Sequence, residues 1–389
     1  MSRQTIGVPE IKIDETSLMA SKFACKVAVS GGLEVISKDV TDLQTLIGLD
    51  NQNMHVFKGN DWGWHVIVLD FITTDESRPK CSDLKDIDWL GILGCDIYEN
   101  YPNARVKVSI SIASPWTGGE GTVYTDSSFL YNNGGFLADG NLHTEPTDDT
   151  YNAYFKLTAN NFNIQNLDDI IPSYNYDRPV RAINFSIYFG DDDPSDGSFP
   201  VFSMSSIVLG STYKFPHSVD LSHTNTVEFG GVKVAKSDSG AETTNAQWVA
   251  PPNWGKYPAY QVNFNTTSGV TSRVNQAHYG KRSWSLNFSY INSENMYNVS
   301  QQSDAHYDIE PATSNSFMDL VWNKIQGRRF AFIFNYNPSS TLDATISDTA
   351  ITLPNPDTYV ICRFKSNKLK AQQTAPSLYR TRLNIVETW

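Results

Sequence analysis

Apolar and polar residues alternate with a period of two through much of this chain. Arg105-Val106-Lys107-Val108-Ser109-Ile110-Ser111-Ile112 puts its apolar side chains on one face, the pattern of a half-buried strand. Ala182-Ile183-Asn184-Phe185-Ser186-Ile187-Tyr188-Phe189 reads as another, ending at Gly190. Arg282-Ser283-Trp284-Ser285-Leu286-Asn287-Phe288-Ser289-Tyr290 aligns Trp284, Leu286 and Phe288. Residues 64–71 are mostly apolar and suit a buried strand, and 202–209 read as one further strand. Val227 to Val234, with Gly230-Gly231 at its centre, predicts a hairpin. Strands are expected over 330–334, 359–364, 368–374 and 378–386.

A period of 3.6 shows in two places. Residues 39–49 predict a helix capped by Thr41 or Asp42. Residues 315–326 predict a second, with Phe317, Leu320, Val321 and Ile325 on one face, Gly327 as its stop, and Arg328 and Arg329 beside its negative end. Between the strands lie joins rich in Gly, Asn, Asp, Pro and Ser, as in 116–126 and 132–149. The fold class that follows is mainly β. An N-terminal β-sandwich of jelly-roll type precedes a second, mostly β module with one helix. No internal repeat is visible.

Charge divides this pattern in two. The chain has 389 residues and a formal charge of −12, but residues 1–214 hold 15 Lys+Arg and 29 Asp+Glu, or −14. Residues 215–389 hold 15 and 13, or +2. That contrast places a boundary beside Pro216, giving an acidic module, 1–214, and a near-neutral one, 215–389. The acidity, with a pI near 5.0, argues against a general nucleic-acid binder, so no specific nucleic-acid partner is expected. No apolar run reaches 18 residues, so no membrane-spanning helix is expected. The first 22 residues lack a continuous apolar core and do not read as a secretory signal.

Enzymatic motifs are missing: there is no phosphate loop, no HExxH and no GxSxG. No catalytic residue is assigned, and a non-enzymatic chain is expected. Cys25, Cys81, Cys95 and Cys362 form no CxxC pair, and Cys95 and Cys362 read as small buried hydrophobes. His217 and His223 are a loose pair without a third ligand. No cofactor is implied, although the acidic run holding Asp191, Asp193 and Asp196 supplies the hard oxygen ligands that Ca²⁺ takes. It departs from the EF-hand pattern, since Asp196 stands where the glycine belongs. Trp62, Trp64, Trp89, Trp116, Tyr131 and Phe136 lie in or beside loops of the acidic module. Of these, Trp116, Tyr131 and Phe136 are the candidates for stacking on the rings of a host surface glycan, with Asn and Asp for the hydroxyls. A carbohydrate-binding module for host attachment is thus the alternative reading.

The second module carries a resemblance. Tyr213-Lys214-Phe215-Pro216-His217-Ser218-Val219-Asp220-Leu221-Ser222, then Trp254-Gly255, then Arg282 through Tyr290, occur in series. Phe332-Ile333-Phe334, Ile361-Cys362-Arg363-Phe364 and Gln372-Gln373-Thr374-Ala375-Pro376-Ser377-Leu378-Tyr379 follow. Over about residues 207–389 this order resembles bacteriophage tail structural proteins of the distal-tail or tail-tip kind. The resemblance implies a tail-tube-like β-barrel or sandwich with one helix, assembling with itself into a ring, usually hexameric. Its partners would be the tail tube and the tail hub or fibre proteins. Its place would be the virion tail, after synthesis in the host bacterial cytoplasm. In that family the ring module comes first and the sandwich second, the reverse of the order here. Ring contacts need complementary faces with Arg anchors, which singles out Arg328, Arg329, Arg363, Arg380 and Arg382 as inter-subunit candidates.

Overall fold

The computed structural model describes residues 7–37, 42–49, 54–60, 64–72, 78–97, 101, 104–112, 155–156, 162–166, 179–189, 199–229, 233–245, 253–254, 257–258, 262–265, 271–274, 280–297, 316–339, 341–346, 349–354 and 358–388. It is mainly β, and the described strand pairs are antiparallel. Ten strands form one large open sheet. In chain order they are β1 (Glu10–Asp14), β2 (Trp89–Leu93), β3 (Phe162–Asn166), β4 (Ser206–Lys214) and β5 (Thr224–Glu228). The rest are β6 (Lys281–Asn292), β7 (Phe332–Asn335), β8 (Tyr359–Phe364), β9 (Ala371–Ala375) and β10 (Leu378–Glu387). Their spatial order is β5-β6-β10-β8-β7-β1-β4-β2-β3, with β9 also paired to β10. Among the described residues the sheet does not close into a barrel.

The short strand β1 is the joint. Its Ile11 and Ile13 lie opposite Tyr213 and Ser211 of β4, and opposite Phe334 and Phe332 of β7. The change of charge at 214/215 is therefore not a break between sheets. One face of the large sheet carries two cores. At the β2–β4 end, Leu90, Ile92, Ile207 and Leu209 share a core with Ile67, Leu69, Val106, Val108, Ile183 and Phe185. Those last six come from a five-stranded sheet in the order Cys25–Ser30, Trp64–Phe71, Val180–Tyr188, Arg105–Ile112, Phe155–Lys156. At the other end, Trp284, Leu286, Phe288, Phe332, Phe334, Val360 and Cys362 pack with Phe215, Phe317, Val321 and Ile325.

Between these cores the same face turns polar. Asp14 caps the helix Glu15–Lys22 by accepting from the Ser17 amide. This sets Glu15, 4% exposed, to accept from Ser211 Oγ and from Lys324 Nζ. The opposite face holds a third cluster, with Trp89, Leu93, Val208, Ile333 and Ile361. Trp89 packs against Gly210, where a Cβ would come within 2.0 Å of the Ile13 carbonyl and 2.3 Å of the indole. Its Nε1 donates to the Ser211 carbonyl at 3.2 Å.

Several expectations are met closely. Residues 64–71, 105–112, 282–290, 359–364 and 378–386 lie in strands, and Cys95 and Cys362 are buried. Three are corrected. Residues 202–209 are not one strand but two, Val201–Met204 and β4, which break at Ser205 and enter different sheets. The described residues of 227–234 are not paired with each other as a hairpin: β5 pairs with β6, while Lys233–Lys236 pairs with Glu242–Asn245. In 39–49 the described residues, 42–49, hold only a 3₁₀ turn, Leu43–Leu46. Asp42 does cap it, but Ile47 returns to extended backbone and Gly48 takes a φ of 113°, which stops propagation. The 315–326 helix forms as a π-turn, Met318–Trp322, running into Asn323–Ile325. It ends where Gln326 and Gly327 turn left-handed, with φ of 55° and 68°.

Candidate functional site

The arginine candidates converge on one end of the large sheet. Arg363, on β8, donates from Nη1 to the carbonyls of Arg328 at 2.8 Å and Arg329 at 2.9 Å. It thereby ties down the turn that follows the helical segment. The Arg328 amide completes the fastening by donating to Asn367 Oδ1 at 3.0 Å. Arg329 donates to Gln326 Oε1 at 2.7 Å and lies 4.8 Å from the Phe330 ring centre. Arg363 is thus half-buried and bonded within its own chain, whereas the Arg328 and Arg329 side chains stay exposed.

Arg380 and Arg382 stand one strand away, on β10. Directly opposed residues of antiparallel strands share a face. Asn287 opposes Arg382, Ser285 opposes Asn384, and Thr224 opposes Ser285. Arg363 opposes Val386, and Gln372 opposes Arg380. The partners Leu383, Ile385, Trp284 and Leu286 point the other way into the core. One face of β5, β6, β10, β8 and β9 is therefore a polar surface, with Ser, Thr, Asn and Gln around a row of cations. Arg382 is steadied by donating from Nε to Ser285 Oγ at 2.6 Å.

Sequence reasoning missed Lys365 and Lys370. Lys365 follows β8, and its amide donates to the Asn384 carbonyl at 2.8 Å; the Lys370 carbonyl accepts from Thr381 Oγ1 at 3.1 Å. Both side chains are exposed. The signal was the alternation Arg363-Phe364-Lys365 and Arg380-Thr381-Arg382, which fixes one cationic face. Residues 358–386 hold six Lys and Arg and no Asp or Glu.

Farther along that face, toward β1, the surface closes. Lys12 is 3% exposed, donates to Thr212 Oγ1 at 3.0 Å and lies 5.7 Å from the Trp89 ring centre. Burial pulls its pKa below the ordinary lysine value, with Asp88 opposing the shift. Thr212 Oγ1 in turn donates to Asp88 Oδ1 at 2.8 Å, and burial raises the Asp88 carboxyl. Tyr359 is pushed up by burial as well.

The remaining candidates fare differently. Trp116, Tyr131 and Phe136 lie outside the described residues, as do Asp191, Asp193 and Asp196. Trp89 stands at the first position of β2, beside a loop, and is fully buried. His217 and His223 bond different backbone carbonyls. His217 bonds the Ser218 and Tyr290 carbonyls, at 2.8 and 3.1 Å, and His223 bonds the Asp220 carbonyl at 3.2 Å. Among the described residues no group of three or more His, Cys, Asp or Glu is placed to hold a metal ion. No described helix is long and apolar enough to cross a membrane. No protein-family model matches the chain, and no curated protein or solved structure matches it significantly.

Proposed function

We propose that the chain is a non-enzymatic structural subunit of a bacteriophage virion tail, in the distal-tail, tail-tip or baseplate ring that connects the tail tube to the adsorption apparatus. In this reading its partners are further copies of itself, in a hexameric ring, together with tail-tube and tail hub or fibre proteins. The N-terminal core is a jelly-roll-like sandwich, and the sheet-plus-helix half is the tail-tube-like module. The motif series over about 207–389 is the starting point of the reading.

One observation carries it: among the described residues β5 is an edge strand, its five residues all exposed, beside β6. Val227 and Phe229 stand 49% and 50% exposed there, and Val234 of the next strand 53%. An exposed edge strand with apolar side chains is a template for pairing with another chain. The packing within the module is consistent with the reading. Phe215, from the first motif of the series, stacks on Phe288, from the strand motif, at 4.5 Å and 6°. The Asp220 amide donates to the Asn287 carbonyl at 2.9 Å, so these two motifs form one unit.

The test is immuno-electron microscopy of particles with antibodies raised against the purified chain. Label at the tail end opposite the head is the expected result. Particles whose tails stay unlabelled, while the antibody recognises the free chain, would reject the proposal.

A further inference from the structure

We propose that the strand Lys233–Lys236 of one copy of the chain pairs with the outer edge of β5 in a second copy, antiparallel, with Val234 opposite Val227 and Lys233 opposite Glu228. The inference rests on the ring reading and names the contact by which copies meet. Two elements each have an edge that pairs with no described strand. β5 pairs with β6 along one edge only. It carries neither the Lys nor the Pro by which proteins commonly blunt an exposed edge. Lys233–Lys236 pairs only with Glu242–Asn245 among the described strands, and residues 234–243 are all exposed. This arm is well formed: the Ser237 amide donates to the Ala241 carbonyl at 2.9 Å, and Lys236 meets Glu242 at 2.7 Å. A two-stranded hairpin with both faces in water is nonetheless marginal by itself. A third strand on its outer edge supplies what it lacks.

The two edges fit each other. Val227 and Val234 stand 49% and 53% exposed, and opposing them covers both. The same register sets Glu228 opposite Lys233, which carries the opposite charge. On its other side Glu228 already opposes Lys281 of β6, so the carboxylate would share one face with a cation on each neighbouring strand. Glu228 has no ion-pair partner among the described residues. This is the register that a hairpin turning at Gly230-Gly231 would have, yet within one chain the two strands are not paired with each other. Exchange between copies forms the same pairs and leaves each chain as it stands, the low-cost route by which domain swapping joins protomers. Each copy then gives one arm and receives one. The contact is heterologous, and the series closes into a ring when the rotation per copy permits.

The experiment pairs disulfide trapping with sedimentation velocity on the full chain. Val227→Cys and Val234→Cys variants, carrying tags of different mass, are mixed and oxidised with diamide; wild type, with its own four cysteines, is the control. The substituted positions are exposed, so the variants keep the wild-type melting curve. A mixed covalent dimer is expected in roughly tenfold excess over the wild-type background, since only facing residues bring two sulfurs within bonding reach. Val227→Cys mixed with Ala235→Cys, one residue out of register, should give about tenfold less of it. Glu228→Lys puts like charges opposite each other and should weaken assembly by roughly tenfold. The double variant Val227→Cys/Val234→Cys should link copies in series. If it closes only on itself at every concentration, the strands form a hairpin within one chain and the proposal is overturned. If wild type assembles while the mixed dimer stays at background, the contact is wrong and the ring reading stands. If the mixed dimer forms but assembly stops at two copies, the exchange stands and the ring reading falls. Wild type that stays monomeric at every concentration overturns both.

Discussion

Arg282 and Glu387 form a buried, multiply bonded ion pair across β6 and β10. The Glu387 carboxylate, 0% exposed, accepts from the Arg282 amide at 2.9 Å, from Nε at 3.2 Å and from Nη2 at 3.1 Å. It stands beside Cys362, whose thiol pKa burial raises well above the ordinary value. Removing one partner strands the other charge in the core. Arg282→Ala is expected to cost about 3–5 kcal/mol, measured by denaturant unfolding. Arg282→Met combined with Glu387→Leu should cost less than either single change. Additive losses in the double variant would show that the pair does not act as a unit.

The contact between Trp89 and Gly210 makes a sharper steric claim. A methyl group at 210 meets the Ile13 carbonyl and the indole together, and both are held by sheet pairing. Gly210→Ala should destabilise the protein by about 3 kcal/mol, the usual scale of severe overpacking. A thermal midpoint within a degree of wild type would contradict the packing described for β1, β2 and β4.

Stability should depend on pH through His55. This imidazole is 0% exposed; its Nε2 meets Thr45 Oγ1 at 2.8 Å, and its Nδ1 has no partner among the described residues. Burial lowers its pKa below the ordinary 6.5, and nearby Asp42 only partly offsets that. The folded state thus binds the proton less well than the unfolded state does. The stabilisation is complete above about pH 6.5 and is lost as pH falls toward the folded pKa. Unfolding free energies from pH 8 to 5 should fall more steeply for wild type than for His55→Gln. Parallel curves would remove His55 from the account.

The role of β1 predicts how the chain responds to division. Residues 215–389 alone lose Ile11 and Ile13 from their core and expose the edge of β7. They should give a poorly dispersed amide spectrum and bind a hydrophobic dye. Adding a peptide that covers residues 7–22 should restore dispersion. A well-dispersed spectrum without the peptide would show that the boundary at 214/215 also separates two independent folding units.

The strands that were legible in the sequence are those whose alternation answers to a single core, such as Arg105–Ile112 and Lys281–Asn292. Pairing partners were not legible. The Gly-Gly pair after Phe229 suggested a local hairpin, yet β5 finds a better partner more than fifty residues away in β6. The split at Ser205 escaped notice because both resulting strands are apolar, so hydropathy alone shows no seam. The charge step at 214/215 is a real feature of the sequence, but β1 bridges it with five residues, too few to weigh in composition. The arginines were found because they resembled contact anchors. The sequence could not reveal that Arg363 bonds the carbonyls of Arg328 and Arg329 while Lys365 and Lys370 join the exposed row.

The central claim, a ring-forming subunit of a phage tail, is tested most directly by single-particle electron microscopy of intact virions. The account predicts copies of this chain at the end of the tail tube in one closed ring, with β5 at the contacts between neighbours. Virions that lack the chain, or that carry it as isolated copies with β5 facing solvent, would contradict it.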